Sequence, residues 1–341
     1  MKAIILNKPG ELELTERANL DEIRDGQAIV KIKRIGICGT DYHAFKGNQP
    51  FFSYPRVLGH ELGAEVVALG GSLANAALKI GDKVAVEPYI HCRQCQACKE
   101  GYINCCENLQ VLGVHTDGGM TEYLAIPFEK LHPSAQLGFD ELALVETLGI
   151  GLHGVNRAQI IPNDKVLVIG AGPIGLSAAQ FSQIKGATVA VADRVESRLA
   201  FVKENKLAHQ FILTEAELTA ELVRTYFEGQ LPTVIIDATG NKESMQNAFQ
   251  LIAHGGKIVY LGLFQGEVTF NDPNFHRTEI SLLASRNALP ADFRTIIALM
   301  ESKQIDTQPW LSHRTRFDAL PTIFKTLLNP EEKVIKAIVE M

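Results

Sequence analysis

A β-rich domain interrupted by a doubly wound α/β domain with a parallel sheet is the architecture this sequence points to, and three features carry that expectation. Up to about residue 150, short runs alternate apolar and polar residues between glycine-containing turns. From about residue 165, short and wholly apolar runs alternate with segments of helical spacing. The final segment, "KVIKAIVE", reads as a strand again. Continuous apolar strands alternating with helices imply a parallel sheet covered on both faces. At 341 residues the chain exceeds what one hydrophobic core serves, so the expected plan is a first domain at 1–150, an inserted domain at 151–288 and a return to the first at 289–341.

Taken in order, "AIVKIKR" sets Val30 and Ile32 against Lys31 and Lys33, the alternation of a strand with one wet face. "AEVVAL" and "KVAVEP" follow, set off by turns such as "LGGS" and "IGD". Four apolar strands come next, "KVLVIG", "TVAVAD", "TVIIDA" and "KIVYLG". Between them Val195, Leu199 and Val202 keep helical spacing, as do Met245, Phe249 and Ile252. "ISLLAS" suits an edge strand, and "PADFRTIIALMESK" a helix.

The bulk numbers narrow the function classes. The composition, 46% hydrophobic and 21% charged, is that of a soluble globular protein, and a net charge of −6 gives no electrostatic reason to bind nucleic acid or an anionic membrane. The most apolar run, "VLVIGAGPIGLSAAQ", is glycine-broken and too short to span a bilayer, and the N-terminus does not read as a signal peptide. The expected compartment is the cytoplasm, where clustered cysteines are metal ligands more often than disulfides.

Three motifs carry chemistry. Gly170, Gly172 and Gly175 stand in G-x-G-x-x-G spacing between a strand and a helix, with Pro173 and Ile174 opening the helix. The first glycine permits a tight turn, the second lets the backbone approach a pyrophosphate, and the third lets helix and strand pack closely. Asp193 ends the next strand 18 residues after Gly175, where a carboxylate accepts hydrogen bonds from ribose hydroxyls and repels a 2′-phosphate. That favours NAD over NADP, although Arg194 beside it could instead greet the phosphate; Arg198 lies one helical turn on.

The second motif is "CRQCQACKEGYINCC", residues 92–106, where Cys92, Cys95, Cys98 and Cys106 read C-x2-C-x2-C-x7-C. Four thiolates at short spacing close a tetrahedron around a structural zinc. Cys105 is an alternative fourth ligand, and an iron–sulfur cluster is the rival occupant. The third is dispersed: Cys38 in "GICGTDYH" and His60 in "VLGHELG", in the company of Thr40, Asp41, His43 and Glu61, could hold a zinc together with one carboxylate and leave one open position, the arrangement of a catalytic site.

Jointly "GICGTDYHAFKG", "VLGHELGAEVVALG", the cysteine loop and "VLVIGAGPIGL" resemble the zinc-dependent medium-chain alcohol dehydrogenases, in that family's order and over essentially the whole chain. The resemblance implies a GroES-like β-rich catalytic domain with an inserted Rossmann domain, an active site in the cleft between them, two zinc ions per chain, and NAD. It implies a catalytic zinc on Cys38, His60 and a carboxylate, either Glu61 or Glu146 of "VETLGIGLHG", where Thr147 replaces the family's usual proline. It also implies a proton relay through Thr40 and His43, with Asp41 orienting a metal ligand or a neighbouring backbone, and assembly as a homodimer or homotetramer.

"GNQPFFSYPRVLGHE", "VLGVHTDGGMTEYL" and "SRNALPADF" are most similar to the sugar-acid and polyol branch, especially hexonate 5-dehydrogenases. A sugar acid needs a cation for its carboxylate. Arg56, Arg286 and Lys46 are candidates, with Asn48, His115 and Asn287 for hydroxyls. Rival readings are a polyol or threonine dehydrogenase, a zinc-free quinone reductase of the same fold, and a zinc-ribbon binding module.

Overall fold

A computed structural model describes all residues except 21, 51 and 72–77. Phe51 of the "GNQPFF" stretch and Ser72 of the "LGGS" turn therefore lie outside the described residues. The chain forms two compact units, one of Met1–Glu146 with Leu289–Met341, the other of Thr147–Ala288.

The first unit is built on a seven-stranded, mostly antiparallel sheet. Its longest strand, Gln27–Ile37, is the one read from "AIVKIKR": Ala28, Val30 and Ile32 are buried while Lys31 faces water. Strand Glu61–Leu69 pairs antiparallel with it, placing Glu61 opposite Gly36. On the other edge runs the C-terminal strand Lys336–Glu340, with Ala337 opposite Ile37. The chain's end thus returns to its first domain as a sheet neighbour. Strands Lys83–Val86, Leu131–Pro133, Tyr123–Pro127 and Leu311–Arg316 complete the sheet. Aliphatic side chains such as Ile4, Ile32, Ile35, Leu62 and Val339 fill the core beside it.

The second unit holds a six-stranded sheet in the order Gln210–Leu213, Thr188–Asp193, Lys165–Ile169, Val234–Asp237, Lys257–Tyr260, Ser281–Ala284. Every pairing is parallel. The four apolar runs are its centre, and "SLLA" is its edge strand. Two details differ from the sequence reading. Val195 does not start the buried face of its helix; it is the N-cap of Glu196–Glu204, 43% exposed, while Leu199 and Val202 face the core. Strand Gln210–Leu213 went unread because, as the opposite edge strand, it buries Ile212 alone and shows no periodicity.

Metal centres and dinucleotide site

Strand order reverses beside Lys165–Ile169, the topological switch point at whose carboxyl end open α/β sheets bind ligands. The glycine motif sits there. Gly170 leaves the strand with φ +99°, a conformation that side chains disfavour. A Cβ on Gly175 would lie 1.7 Å from the Gly170 carbonyl oxygen, so only glycine lets the helix approach this closely. A Cβ on Gly172, the N-cap of helix Pro173–Ile184, would meet nothing within 4 Å, leaving open space at the helix N-terminus where a phosphate is favoured. Asp193 anchors the turn: its Oδ2 accepts from the Ala171 amide at 2.6 Å and its Oδ1 from the Val195 amide at 2.8 Å. Arg198 lies 3.8 Å from the same carboxylate, and Arg194 is exposed.

In the first unit the cysteine loop folds on itself. Helix Gln96–Lys99 starts after Cys95 and the short 3-10 turn Ile103–Cys105 brings Cys106 back. The sulfurs of Cys92 and Cys98 are 4.0 Å apart and those of Cys95 and Cys106 3.9 Å, close to the roughly 3.8 Å edge of a tetrahedron with metal–sulfur bonds of about 2.3 Å. Backbone amides point at the sulfurs, Cys95 N at Cys92 Sγ and Cys92 N at Cys106 Sγ. Amides of Gln94 and Cys95 draw the Cys92 thiol down to about 6, the direction that prepares a thiolate ligand. Cys105 is exposed and outside the cluster, whereas Cys106 is buried and groups with Cys92, Cys95 and Cys98. The donors fit a closed structural zinc.

The dispersed motif also converges. Cys38 ends strand Gln27–Ile37 as N-cap of helix Gly39–Lys46, and His60 immediately precedes strand Glu61–Leu69. Because these strands are neighbours, ligand atoms of Cys38, His60 and Glu61 all lie within 4.8 Å of one another. His60 and Glu61 are buried, and His60 Nδ1 has no hydrogen-bond partner. A thiol, an imidazole and a carboxylate so placed suit zinc and leave a position open.

Around them, Asp41 Oδ2 accepts from the Cys38 amide at 2.9 Å, and its Oδ1 stands 3.9 Å from His60 Nδ1. Burial pushes the Asp41 carboxyl up, partly offset by His60. His60 itself is raised well above its ordinary value, because the charges of Cys38 and Asp41 outweigh burial. Thr40 Oγ1 lies 3.7 Å from Cys38 Sγ, and the exposed His43 places Nδ1 3.0 Å from Asn48 Oδ1. Glu146 is buried in the same unit and accepts from the Tyr89 hydroxyl; burial raises its carboxyl, His60 pulls it down, and Glu61 raises it further.

Two participants were not read from the sequence. Tyr89 holds Glu146, and Lys336 holds both oxygens of Glu61 at 2.6 and 2.8 Å. The substrate candidates sit on separate elements of the two units. Arg56 is tied to Ser53 Oγ at 2.8 Å and faces Asp117 at 3.5 Å, and His115 Nδ1 closes its own loop by accepting from the Val111 amide. Lys46 is exposed on helix Gly39–Lys46, while Arg286 and Asn287 follow the edge strand of the second unit.

Known proteins repeat this combination. Residues 24–136 match the alcohol dehydrogenase GroES-like domain and residues 173–302 the zinc-binding dehydrogenase domain. L-galactonate-5-dehydrogenase of Escherichia coli K12 is 44% identical over 99% of this chain and 98% of its own length. Sorbitol dehydrogenase of Bacillus subtilis is 32% identical over 83% of this chain and 81% of that protein. An alcohol dehydrogenase from E. coli CFT073, solved with cofactor NADH, superposes with a TM-score of 0.92 at 30% identity, covering 100% of this chain and 99% of that one. On these grounds the chain belongs to the zinc-type medium-chain alcohol dehydrogenase family.

Proposed function

We propose that this protein oxidises a secondary alcohol of a sugar acid, a hexonate such as L-galactonate or L-gulonate at C5, to the keto-acid with NAD. The convergence of Cys38, His60 and Glu61 carries the reaction class. The full-length likeness to L-galactonate-5-dehydrogenase supports the substrate.

Cys38, His60 and a carboxylate would hold a zinc ion, which would supply Lewis acidity that lowers the pKa of an alcohol oxygen. The chain's own residues do the rest. The Thr40 hydroxyl, beside Cys38, accepts the proton of the substrate hydroxyl as it releases its own, and His43 delivers that released proton to solvent. NAD held at the glycine turn would supply the hydride acceptor for the carbinol carbon, so the alcohol would lose a hydride and a proton in balance. Gly170, Gly172 and Gly175 make room for the pyrophosphate while Pro173 and Ile174 open the helix facing it, and Asp193 receives the adenosine ribose. Asp41 orients His60 and fixes the start of the Cys38 helix. Cys92, Cys95, Cys98 and Cys106 hold the second zinc, which shapes the loop and does no chemistry.

A hexitol is the second reading, favoured by the likeness to sorbitol dehydrogenase. A panel of hexonates, hexitols and amino-alcohols, followed by NADH absorbance, separates the two. Faster turnover of L-galactonate or L-gulonate supports the hexonate; hexitols turning over far faster would sink it. For the carboxylate, Arg56 and Arg286 remain the cations to test, with His115 and Asn287 as hydroxyl partners. Their alanine variants should raise KM for the acid more than for a neutral analogue. None of the described helices is long and apolar enough to cross a membrane. We also place the enzyme in the cytoplasm, whose reducing conditions suit the free thiols, as a homodimer or homotetramer; fractionation and sedimentation test both points.

A further inference from the structure

Strand Lys336–Glu340 is buried through residue Val339, yet it opens with a lysine that is 3% exposed. A buried ammonium is tolerated only when it is paired and hydrogen-bonded. Lys336 Nζ donates to Glu61 Oε1 at 2.6 Å, to Glu61 Oε2 at 2.8 Å and to the Ile37 carbonyl at 3.4 Å. Those three acceptors match the three donors of an ammonium. Register builds the contact: Gly36 lies opposite Glu61 on one side of its strand, while Ala337 lies opposite Ile37 on the other. Gly36 also clears the space, since a Cβ there would sit 2.1 Å from Glu61 Oε2.

The other two donors of the catalytic set are held differently. The Cys38 sulfur faces Thr40 Oγ1 at 3.7 Å, and His60 Nδ1 has no hydrogen-bond partner. Glu61 has a cation against both oxygens. A carboxylate in two charge-assisted hydrogen bonds keeps less lone-pair density for a metal than one without them. We propose that Lys336 is a positioning residue of the catalytic metal site: by sharing the Glu61 carboxylate it weakens Glu61 as a ligand, so that Glu61 is the protein ligand that yields.

This rests on the reading that Cys38, His60 and Glu61 hold the catalytic metal, and the test separates the two claims. Purified zinc-loaded protein is mixed with excess dipicolinate, and zinc release is followed with a colorimetric zinc dye. Two zinc per chain, of which Cys38→Ser lacks one, identifies the catalytic phase; if Cys38→Ser keeps both, the metal-site reading fails first. In Lys336→Met the catalytic phase should slow by about tenfold, whereas loss of a partner that strengthens its ligand has an effect of this size in the opposite sense. Lys336→Arg, which keeps a cation able to reach both carboxylate oxygens in a different geometry, should release the metal at a rate between those of the parent and Lys336→Met. With Glu61→Gln already in place, Lys336→Met should change nothing further. The visible absorption of the cobalt-substituted Lys336→Met protein should differ from the parent's, a change that altered folding alone does not produce. Release at the parental rate, or faster, in a folded Lys336→Met protein overturns the proposal. Should that variant fail to fold, Lys336→Gln carries the same expectation and the same refutation.

Discussion

Gly36→Ala is a one-methyl change with a consequence calculable from the geometry. The new Cβ would stand 2.1 Å from Glu61 Oε2. That is roughly 1.3 Å inside ordinary carbon–oxygen contact of about 3.4 Å. Neither partner has room to yield cheaply: Gly36 lies mid-sheet between strands Glu61–Leu69 and Lys336–Glu340, and Glu61 is fully buried and gripped by Lys336. Overpacking of a core costs about 1–3 kcal/mol, and breaking a buried ion pair about 3–5 kcal/mol. With the pair strained rather than broken, the expected loss is about 2–4 kcal/mol. The chain's single tryptophan, Trp310, is buried in the same unit, so its fluorescence during urea unfolding reports on this unit. Gly39→Ala is the control, because a Cβ there meets nothing within 4 Å; it should shift stability by less than about 0.5 kcal/mol. A Gly36→Ala protein that unfolds at the parental urea concentration and keeps its full metal content would refute the packing argument.

Other expectations concern separate parts of the molecule. Asp193→Ala removes the carboxylate proposed to meet the ribose, so the ratio of kcat/KM for NADP over NAD should rise at least about tenfold; an unchanged ratio in initial-rate assays would remove Asp193 from cofactor choice. Cys95→Ser should leave the protein with one zinc fewer by mass spectrometry and lower its thermal midpoint, whereas Cys105→Ser should do neither. Burial pushes the Asp140 carboxyl up, but hydrogen bonds and charge from Arg314 and Arg34 hold it below the usual carboxylate range. A depressed folded value means stability that is present above the unfolded pKa of about 3.9 and lost as pH falls through the folded value. Asp140→Asn should therefore be less stable than the parent at neutral pH, with the gap closing under acid; a gap constant with pH would contradict this pairing.

The two clusters of metal donors were legible in the sequence because their signals are local. Cys38 directly follows a strand and His60 directly precedes one, each within a short distinctive motif, and the four thiols of the loop need only their spacing. The partners of those ligands were not legible, because pairing between strands distant in sequence creates them. Lys336 in "VIKAIVE" looks like the wet side of an alternating strand, and only the register with Gly36 and Glu61 turns it into a buried cation. Tyr89 likewise gains meaning only when helix Phe139–Ala158 brings Glu146 to its hydroxyl. The parallel sheet was readable from its apolar central strands, and its edge strand Gln210–Leu213 was not, since half-wet strands lack that composition. Substrate recognition left the weakest trace: an arginine looks the same in sequence whatever it faces, and only the fold shows Arg56 3.5 Å from Asp117.

Metal content and turnover of Cys38→Ser, measured beside the parent protein, test the central claim most directly. The account predicts two zinc per chain falling to one, NAD-dependent oxidation lost, and the thermal midpoint of the protein nearly unchanged. A Cys38→Ser enzyme that keeps both metals, or that still reduces NAD at the parental rate, would contradict it.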